Sequence, residues 1–248
     1  MPFRIKAFLI HLLISACVAA CSLYVVFTIW HPDPMQKAVG VTRIFLFLLG
    51  IDVTIGPLLT LLIASDESKK TRAALRFDLA VIFIVQCTAY LYGMYNIAVS
   101  RPVYIAFDKV RFEVVQADSV VRTFEHKISP EYRQNSWFSP QWIAIRPYKN
   151  AAEQSERTFL ELNEGISPSM QADLYQAIND NTWSEIKKTQ HPLDELGKYN
   201  DTQQIKQVLS AHPEADSYQP LKAPAEDMVV LLDSKQRKIV AIVDLRPW

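Results

Sequence analysis

The sequence has little glycine and no net charge, and both shortages exclude classes of function. Its 248 residues include only six glycines, too widely spaced for a P-loop or a GxGxxG turn, so nucleotide cradles of those kinds are excluded. The 26 basic and 26 acidic residues balance. Residues 101–248 are slightly acidic on their own, so nucleic acid is not an expected partner.

Cysteines and catalytic motifs are also scarce. All three cysteines lie inside apolar runs, so the rest of the chain is expected to fold without disulfides. No further soft metal ligand is near them, and the sequence has no GxSxG or HExxH motif. The scattered histidines His126, His191 and His212 are interpreted as surface residues. We therefore predict that the protein is not an enzyme and has no catalytic, cofactor-binding or metal site.

What the sequence does contain is three long apolar runs, at about residues 7–30, 44–64 and 79–99. Each is long enough to cross a bilayer, since about 20 residues span the roughly 30 Å of hydrocarbon. A soluble helix is rarely apolar on all its faces over such a length. We predict a membrane protein with a three-helix transmembrane bundle over residues 1–100, in contact with membrane lipid. A mixed α/β (α+β) domain is predicted over residues 101–248.

The basic residues around these runs predict their orientation. The N-terminal stub has two basic residues and the loop between the second and third runs has four, namely Arg4 and Lys6, and Lys69, Lys70, Arg72 and Arg76. The loop between the first and second runs has only Lys37 and Arg43. Because basic residues are retained on the cytoplasmic side, the N-terminus is expected inside and residues 101–248 outside. Trp30 and Tyr95 then lie at the outer interface, where such rings prefer to be.

A lipoprotein is the alternative interpretation of the N-terminus. Cys17 and Cys21 each end a stretch that resembles a bacterial lipobox, after a basic stub and apolar residues. A mature lipoprotein normally begins with a polar tether, whereas the residues after either cysteine stay apolar as far as Trp30. An uncut first span is therefore favoured.

Two polar side chains, Asp52 and Gln86, fall deep inside the predicted spans. At 1.5 Å per residue, Asp52 is roughly 12 Å below the outer surface and Gln86 lies at a similar height on the next helix. A hydrogen bond between Asp52 and Gln86 is therefore geometrically possible, and a protonated Asp52 would be its natural partner. Two interpretations follow. Either Asp52 and Gln86 bond to each other and fix the packing of the three helices, or Asp52 is a polar contact for another membrane helix or a carboxylate of a proton relay.

The domain after the spans has strand patterns at both ends. Val103–Phe107 and Val110–Val115 are predicted strands, joined by a turn at Asp108–Lys109 that lacks the preferred glycine. Met228–Leu232 and Ile239–Val243 predict a terminal hairpin. One sheet that includes both ends of the domain is therefore expected.

Helical spacing of apolar residues occurs between these strands. The predicted helices cover residues 151–163, 168–180 and 201–211, the last capped by Asn200. Ser129–Glu131 resembles a further helix start, with a proline in the first turn. The aromatic residues Trp137, Phe138 and Trp142 are either a recognition patch or part of the core.

Several stretches of the sequence resemble the TfpX/TfpZ family of type IV pilin accessory proteins. The resemblance is densest in the first 115 residues and the last twenty, and is carried by Phe3–Ser15, Gly40–Thr42, Leu49–Val53, Gly56–Leu61, Arg76–Ile82, Arg101–Val103, Asp108–Val115 and Ile242–Trp248. None of these stretches is a catalytic motif, so the resemblance indicates a family without specifying a mechanism.

The resemblance implies a bacterial inner-membrane protein, with a periplasmic C-terminal domain, that helps a cognate type IV pilin to be assembled and displayed. Before assembly such a pilin has one apolar helix in the membrane and a globular head in the periplasm. The implied role is a non-enzymatic, chaperone-like accessory factor, with the pilin as its partner and the pilus assembly machinery as a further candidate. The alternatives are a membrane-anchored periplasmic enzyme and a general machinery scaffold or sensor.

Overall fold

The computed structural model describes residues 3–64 and 71–248, and the chain divides into two compact units. The first unit comprises Met1–Asp33 and Val41–Val99, and the second comprises Pro34–Gly40 and Ser100–Trp248. Lys69 and Lys70, which enter the orientation argument, lie outside the described residues.

Three long helices form the first unit. Helix α1 covers Phe3–Tyr24 and continues as a π-helical segment to Trp30, α3 covers Val41–Ala64 and α4 covers Arg72–Val99. The short helix α2 (Met35–Val39), which lies between α1 and α3 in the sequence, belongs to the second unit. By length and composition α1, α3 and α4 are each able to cross a membrane. Each begins several residues before its apolar run, because helical structure continues into charged flanks that carry no apolar signal.

Helix α3 is the middle helix of this unit and packs against both α1 and α4. The side of α1 that is buried consists of the small residues Ser15, Ala19 and Ser22. Small side chains at this spacing let two helix backbones approach closely, which is a common means of helix association in membranes. On α3, Phe45 is completely buried and meets Phe27 edge to face, with ring centres 5.4 Å apart.

The second unit is built on one curled sheet of eight strands, which confirms the predicted mixed α/β class. The strands are β1 (Pro102–Asp108), β2 (Arg111–Gln116), β3 (Gln141–Ile145), β4 (Tyr175–Gln176), β5 (His191–Pro192), β6 (Ser217–Lys222), β7 (Met228–Asp233) and β8 (Lys238–Val243). Their order is β4-β3-β1-β2-β6-β7-β8, with β5 paired to β6. The pairs β1–β3 and β2–β6 are parallel, and the other pairs are antiparallel.

Helices and loops cover both faces of this sheet. The helices are α5 (Ala151–Glu164), α6 (Asp180–Thr189) and α7 (Thr202–Ala211). Ile186 of α6 and Met35 and Ala38 of α2 belong to the core on one face. On the other face, α7 covers β7 and β8, and the segment around Ile128 covers β1 and β3. The side chains of Ile105 and Ala106 enter opposite cores, as the alternation of a strand requires.

Helix α2 is fastened to the second unit through its backbone and its one lysine. The carbonyl of Ala38 accepts hydrogen bonds from the backbone amides of Ala225 and Glu226, at 2.9 and 3.2 Å. Lys37 Nζ lies 2.7 Å from Asp244 Oδ2, and this hydrogen bond raises the pKa of the lysine. Gly40 ends the helix at φ +78°, and a Cβ there would lie 2.8 Å from the Cβ of Ala225. No apolar spacing in the sequence predicts this short helix.

The turn between β1 and β2 differs from the prediction by one residue. Asp108 pairs with Arg111, so Lys109 and Val110 form the turn instead of Asp108 and Lys109. Lys109 has φ +57°, the left-handed conformation that glycine would adopt more easily. The pairing of β2 with β1 is therefore shifted by two residues, and Phe107 lies opposite Phe112 rather than Val110.

Two of the predicted helices are wrong and two are confirmed. Residues 151–163 and 201–211 lie in α5 and α7. Residues 168–180 form two short 3₁₀ turns and β4 instead, because Gln171 is extended and Tyr175 pairs with Ile145 of β3. The helix start at Ser129 yields only the 3₁₀ turn Pro130–Tyr132, after which the chain has no apolar spacing to continue it.

The cap of α7 is also one residue later than predicted. Asp201 accepts hydrogen bonds from the backbone amides of Gln203 and Gln204, at 2.8 and 3.2 Å. Asn200 binds the C-terminal segment instead: its side chain donates to the carbonyl of Arg246 and accepts from the amide of that residue. The predicted terminal hairpin is present as β7 and β8.

Helix α5 is held by a network of charged side chains. Arg157 of α5 is 2% exposed and donates to both oxygens of Asp173 and to Gln171 Oε1. Glu153, one turn earlier, accepts from Arg146 Nη1 and Nη2 at 3.1 and 2.7 Å. The Arg146 guanidinium lowers the pKa of Glu153 to about 2.

This network predicts a loss of stability in acid. The pKa of a glutamate in an unfolded chain is about 4.3, and the folded pKa of Glu153 is lower. The ionised Glu153 therefore contributes its full stabilisation above the unfolded pKa. The contribution is expected to be lost as the pH falls from about 5 towards 2. Urea unfolding of the full chain in detergent, followed by tryptophan fluorescence across this range, measures it. Glu153→Gln should show a smaller fall, and an identical fall would contradict the assignment.

Candidate functional site

The candidate site is a groove within the first unit, where α1 and α4 lie on either side of α3. The groove has a volume of about 820 Å³. Most of its wall residues are apolar, and the lining consists of Phe3, Lys6, Ala7, Ile10, His11, Ile14, Ser15 and Val18 of α1, Asp52 and Thr60 of α3, and Leu79, Phe83, Gln86, Cys87, Tyr90 and Leu91 of α4.

The groove is long and its walls are exposed. From Phe3 to Val18 the α1 wall extends about 22 Å at 1.5 Å per residue, which is most of the thickness of a bilayer core. Ile10, Ile14, Phe83 and Leu91 on the walls are all more than half exposed. These dimensions suit one apolar helix lying alongside α1 and α4.

The floor of the groove is polar. His11 Nδ1 lies 2.7 Å from Thr60 Oγ1 and joins α1 to α3 by a hydrogen bond. Ser22 Oγ and Tyr90 Oη form a second polar contact, between α1 and α4, at 2.5 Å.

The structure brings the predicted pair Asp52 and Gln86 together, but through a different atom. Gln86 Nε2 donates to the backbone carbonyl of Asp52 at 3.0 Å, and lies 3.4 Å from Ser15 Oγ. The Asp52 carboxyl is half-buried at the groove, and among residues 3–64 and 71–248 it has no hydrogen-bond partner. The helix packing therefore uses Gln86, and the carboxyl is left facing the groove.

Gly56 makes this position of Gln86 sterically accessible. A Cβ at Gly56 would lie 1.9 Å from Gln86 Oε1, so any side chain there displaces the amide. Gly56 belongs to one of the stretches that carry the family resemblance, and its close contact with Gln86 is a physical reason for a glycine there.

Gly56→Ala is expected to loosen the packing of α3 on α4. Overpacking of this kind costs about 1–3 kcal/mol, and the displaced Gln86 loses its bond to the Asp52 carbonyl. The measurement is the thermal unfolding temperature of the full chain in detergent. The double variant Gly56→Ala with Gln86→Ala removes the clash and should recover most of the loss, whereas additive losses would contradict the contact.

The polar and small residues of α1 are part of the site that the sequence analysis missed. His11, Ser15, Ala19 and Ser22 recur at spacings of three to four residues and therefore share one helix face. That pattern was available in the sequence, but hydropathy averages conceal it because each residue is small or isolated.

A second cleft lies in the second unit, beside the β1–β2 turn. It has a volume of about 740 Å³ and includes Asp108, Lys109 and Tyr148. Burial and the nearby Glu113 raise the pKa of Asp108, and burial raises that of Tyr148, whose ring centre is 4.8 Å from Lys109 Nζ. Its lining also includes Ser184, Glu185 and Lys188.

Comparison with known proteins identifies the family to which the chain is similar. Residues 1–40 match the family described as fimbrial assembly protein FimB. The chain is 33% identical to the "Fimbrial assembly protein, serogroup I" of Dichelobacter nodosus over 191 residues, which are 77% of this chain and 73% of that protein. The serogroup E1 protein of the same organism is 31% identical over 203 residues, 82% of this chain and 77% of that protein.

A third relative covers less of the chain. The protein of D. nodosus serogroups C1 and C2 is 39% identical over 106 residues, which are 43% of this chain and 79% of that protein. No solved structure matches the chain. Because two relatives above 30% identity are matched over more than two thirds of both chains, this protein belongs to the fimbrial assembly protein (FimB) family.

Proposed function

We propose that the protein is a non-enzymatic, chaperone-like accessory factor of the TfpX/TfpZ type that promotes the assembly or surface display of a cognate type IV pilin. The relatives in D. nodosus are named for fimbrial assembly. In this proposal α1, α3 and α4 cross the bacterial inner membrane, with the N-terminus in the cytoplasm and residues 101–248 in the periplasm. The basic residues near the ends of the apolar runs support that orientation.

The observation that carries the proposal is the Asp52 carboxyl at the groove. A carboxyl in hydrocarbon is costly unless it is paired, and Asp52 has no hydrogen-bond partner among the described residues. A lipid acyl chain fills an apolar groove but offers no hydrogen bond. A protein helix with an apolar face and one polar group supplies both, so we take the occupant to be the membrane helix of the pilin.

The groove also explains how such a factor could act without catalysis. Its walls expose apolar side chains such as Ile10, Ile14 and Phe83, and a second helix would cover them. Helix association in membranes depends on such packing and on interhelical hydrogen bonds. The pilin helix would be held apart from other membrane helices until it is handed to the fibre.

Asp52→Leu is expected to reduce surface pili at an unchanged protein level, while Asp52→Asn stays close to normal. The hydrogen bond from Gln86 goes to the backbone carbonyl of Asp52, so neither change breaks the contact between α3 and α4. Asparagine still bonds the occupant of the groove, whereas leucine cannot. Hydrogen bonds between membrane helices average about 0.6 kcal/mol and seldom exceed about 2, so a several-fold loss is expected rather than abolition.

Thr54→Leu is the matched control for this prediction. Thr54 is exposed on the same helix, and within the described part of the chain it bonds only the backbone carbonyls of Gly50 and Ile51 on its own helix, so its replacement should leave piliation unchanged. Surface pili are counted by electron microscopy and the protein by immunoblot. If Asp52→Asn is as damaging as Asp52→Leu, ionisation of the carboxyl is required and the hydrogen-bonding role is wrong.

Deletion of the gene and complementation with different pilins test the function itself. A cognate accessory factor is required for surface display of its own pilin and much less for an unrelated one. A general scaffold or sensor would be required equally for both. A membrane-anchored enzyme would instead lose function through a single polar residue of the second unit, such as Asp108 in the cleft beside the β1–β2 turn.

A further inference from the structure

Two aromatic side chains, Trp137 and Phe138, project from the second unit into solvent. They are 60% and 70% exposed, whereas Trp142 a few residues later packs on Phe112 with ring centres 5.3 Å apart. The structure thus separates the aromatic cluster of the sequence into a core residue and an exposed pair. Two large neighbouring rings that are both exposed form a candidate contact surface.

The loop that carries the pair is fastened at its base. Arg101 is 4% exposed and donates to the carbonyl of Ser136 through Nε and Nη2, at 3.3 and 3.1 Å. Its guanidinium also lies 4.2 Å from the centre of the Trp137 ring. The backbone amide of Phe138 donates to Ser136 Oγ at 3.2 Å. These contacts fix the conformation of the loop that exposes the two rings.

Arg101 follows closely on the last residue of α4. Two residues of chain cover at most about 7 Å, which is similar to the thickness of one headgroup layer of a bilayer. On α4 itself, Tyr92 and Tyr95 are 71% and 64% exposed near the same end of the helix. Tyrosine and tryptophan side chains concentrate at this depth of membrane proteins. The loop is thus held by Arg101, two residues after the end of α4.

We propose that Trp137 and Phe138 embed in the interfacial layer of the lipid bilayer and anchor the second unit at the membrane surface. An indole has an apolar body and one N–H donor, which suits the boundary between headgroups and acyl chains. The proposal requires that α4 cross the membrane, but it does not depend on which protein is assembled.

Fluorescence quenching of the full chain in lipid nanodiscs tests the anchor. The signal of Trp137 is the difference between the parent protein and Trp137→Phe, a change that keeps a ring over Arg101. Phospholipids brominated on their upper acyl carbons should quench more than half of this signal, and aqueous iodide should have little effect. Phe138→Trp in the Trp137→Phe background provides an independent probe of the same loop and should behave alike.

Phe159→Trp in the same background is the matched control. Phe159 is 63% exposed on α5 and does not belong to the loop, so iodide should quench a tryptophan there and brominated lipid should not. If the Trp137 signal is quenched by iodide and not by brominated lipid, the loop faces water and the anchor is refuted. Protection from both quenchers would also refute it, because it would indicate contact with protein.

Discussion

Cys87→Trp is expected to abolish surface pili while the protein stays in the membrane at its normal level. Cys87 lines the groove from α4 and is half-buried there. An indole at this position projects into the space that the pilin helix would occupy. Overpacking costs about 1–3 kcal/mol in a closed core, and about 1.4 kcal/mol already corresponds to a tenfold loss of binding. The walls of the groove are exposed, so an indole there does not crowd the fold itself.

Val85→Trp is the control for the groove-filling variant. Val85 is 62% exposed and lies two residues from Cys87, on the opposite side of α4 and outside the groove lining. The same indole at the same depth should leave piliation unchanged. Electron microscopy of surface pili and immunoblots of membranes distinguish the two variants. Equal loss in both would mean that any bulky change in α4 is harmful, and normal piliation in Cys87→Trp would show that the groove stays empty.

Asp173→Ala is expected to destabilise the second unit more than any surface change. Asp173 Oδ2 lies 2.5 Å from Arg157 Nη2, and both side chains are at most 4% exposed. Removal of one partner from a buried ion pair costs about 3–5 kcal/mol, because the other charge stays buried without compensation. Since Arg157 is the buried residue of α5, this helix should detach first.

Glu185→Ala supplies the comparison for that variant. Glu185 pairs with Lys188 on the exposed side of α6, and a pair of this kind contributes about 0.3–0.5 kcal/mol. Urea unfolding of the full chain in detergent, followed by near-UV circular dichroism, measures both variants. Similar unfolding midpoints for Asp173→Ala and Glu185→Ala would mean that the buried pair does not hold the unit together.

The helices of the first unit were predictable because an apolar run of sufficient length has few alternatives to a membrane helix. The beginnings of the helices were less predictable, since helical structure in α4 continues through charged residues such as Arg76 and Asp78. In the second unit the errors occur where side chains override local spacing. Residues 168–180 have helical periodicity, yet Gln171 and Asp173 turn to bind Arg157.

The height of the candidate site along the helices was predictable from the sequence, but its atomic contacts were not. Counting along the helices brings Asp52 and Gln86 to the same height, and the structure places them in contact. Which atom of Asp52 accepts the hydrogen bond depends on the close approach at Gly56, and spacing alone carries no information about that. The groove itself arises because α3 packs on both α1 and α4, a choice of neighbours that apolar runs do not specify.

Site-specific photo-crosslinking tests the central claim, that the groove receives the pilin helix, most directly. Ile14 lines the groove and is 55% exposed, whereas the adjacent Leu13 is 66% exposed and outside the lining. Each is replaced in turn by a photoreactive phenylalanine derivative in cells that express the pilin. We expect a covalent adduct with the N-terminal helix of the pilin from position 14 and little or none from position 13. Equal adducts from both positions, or none from position 14, would contradict the account.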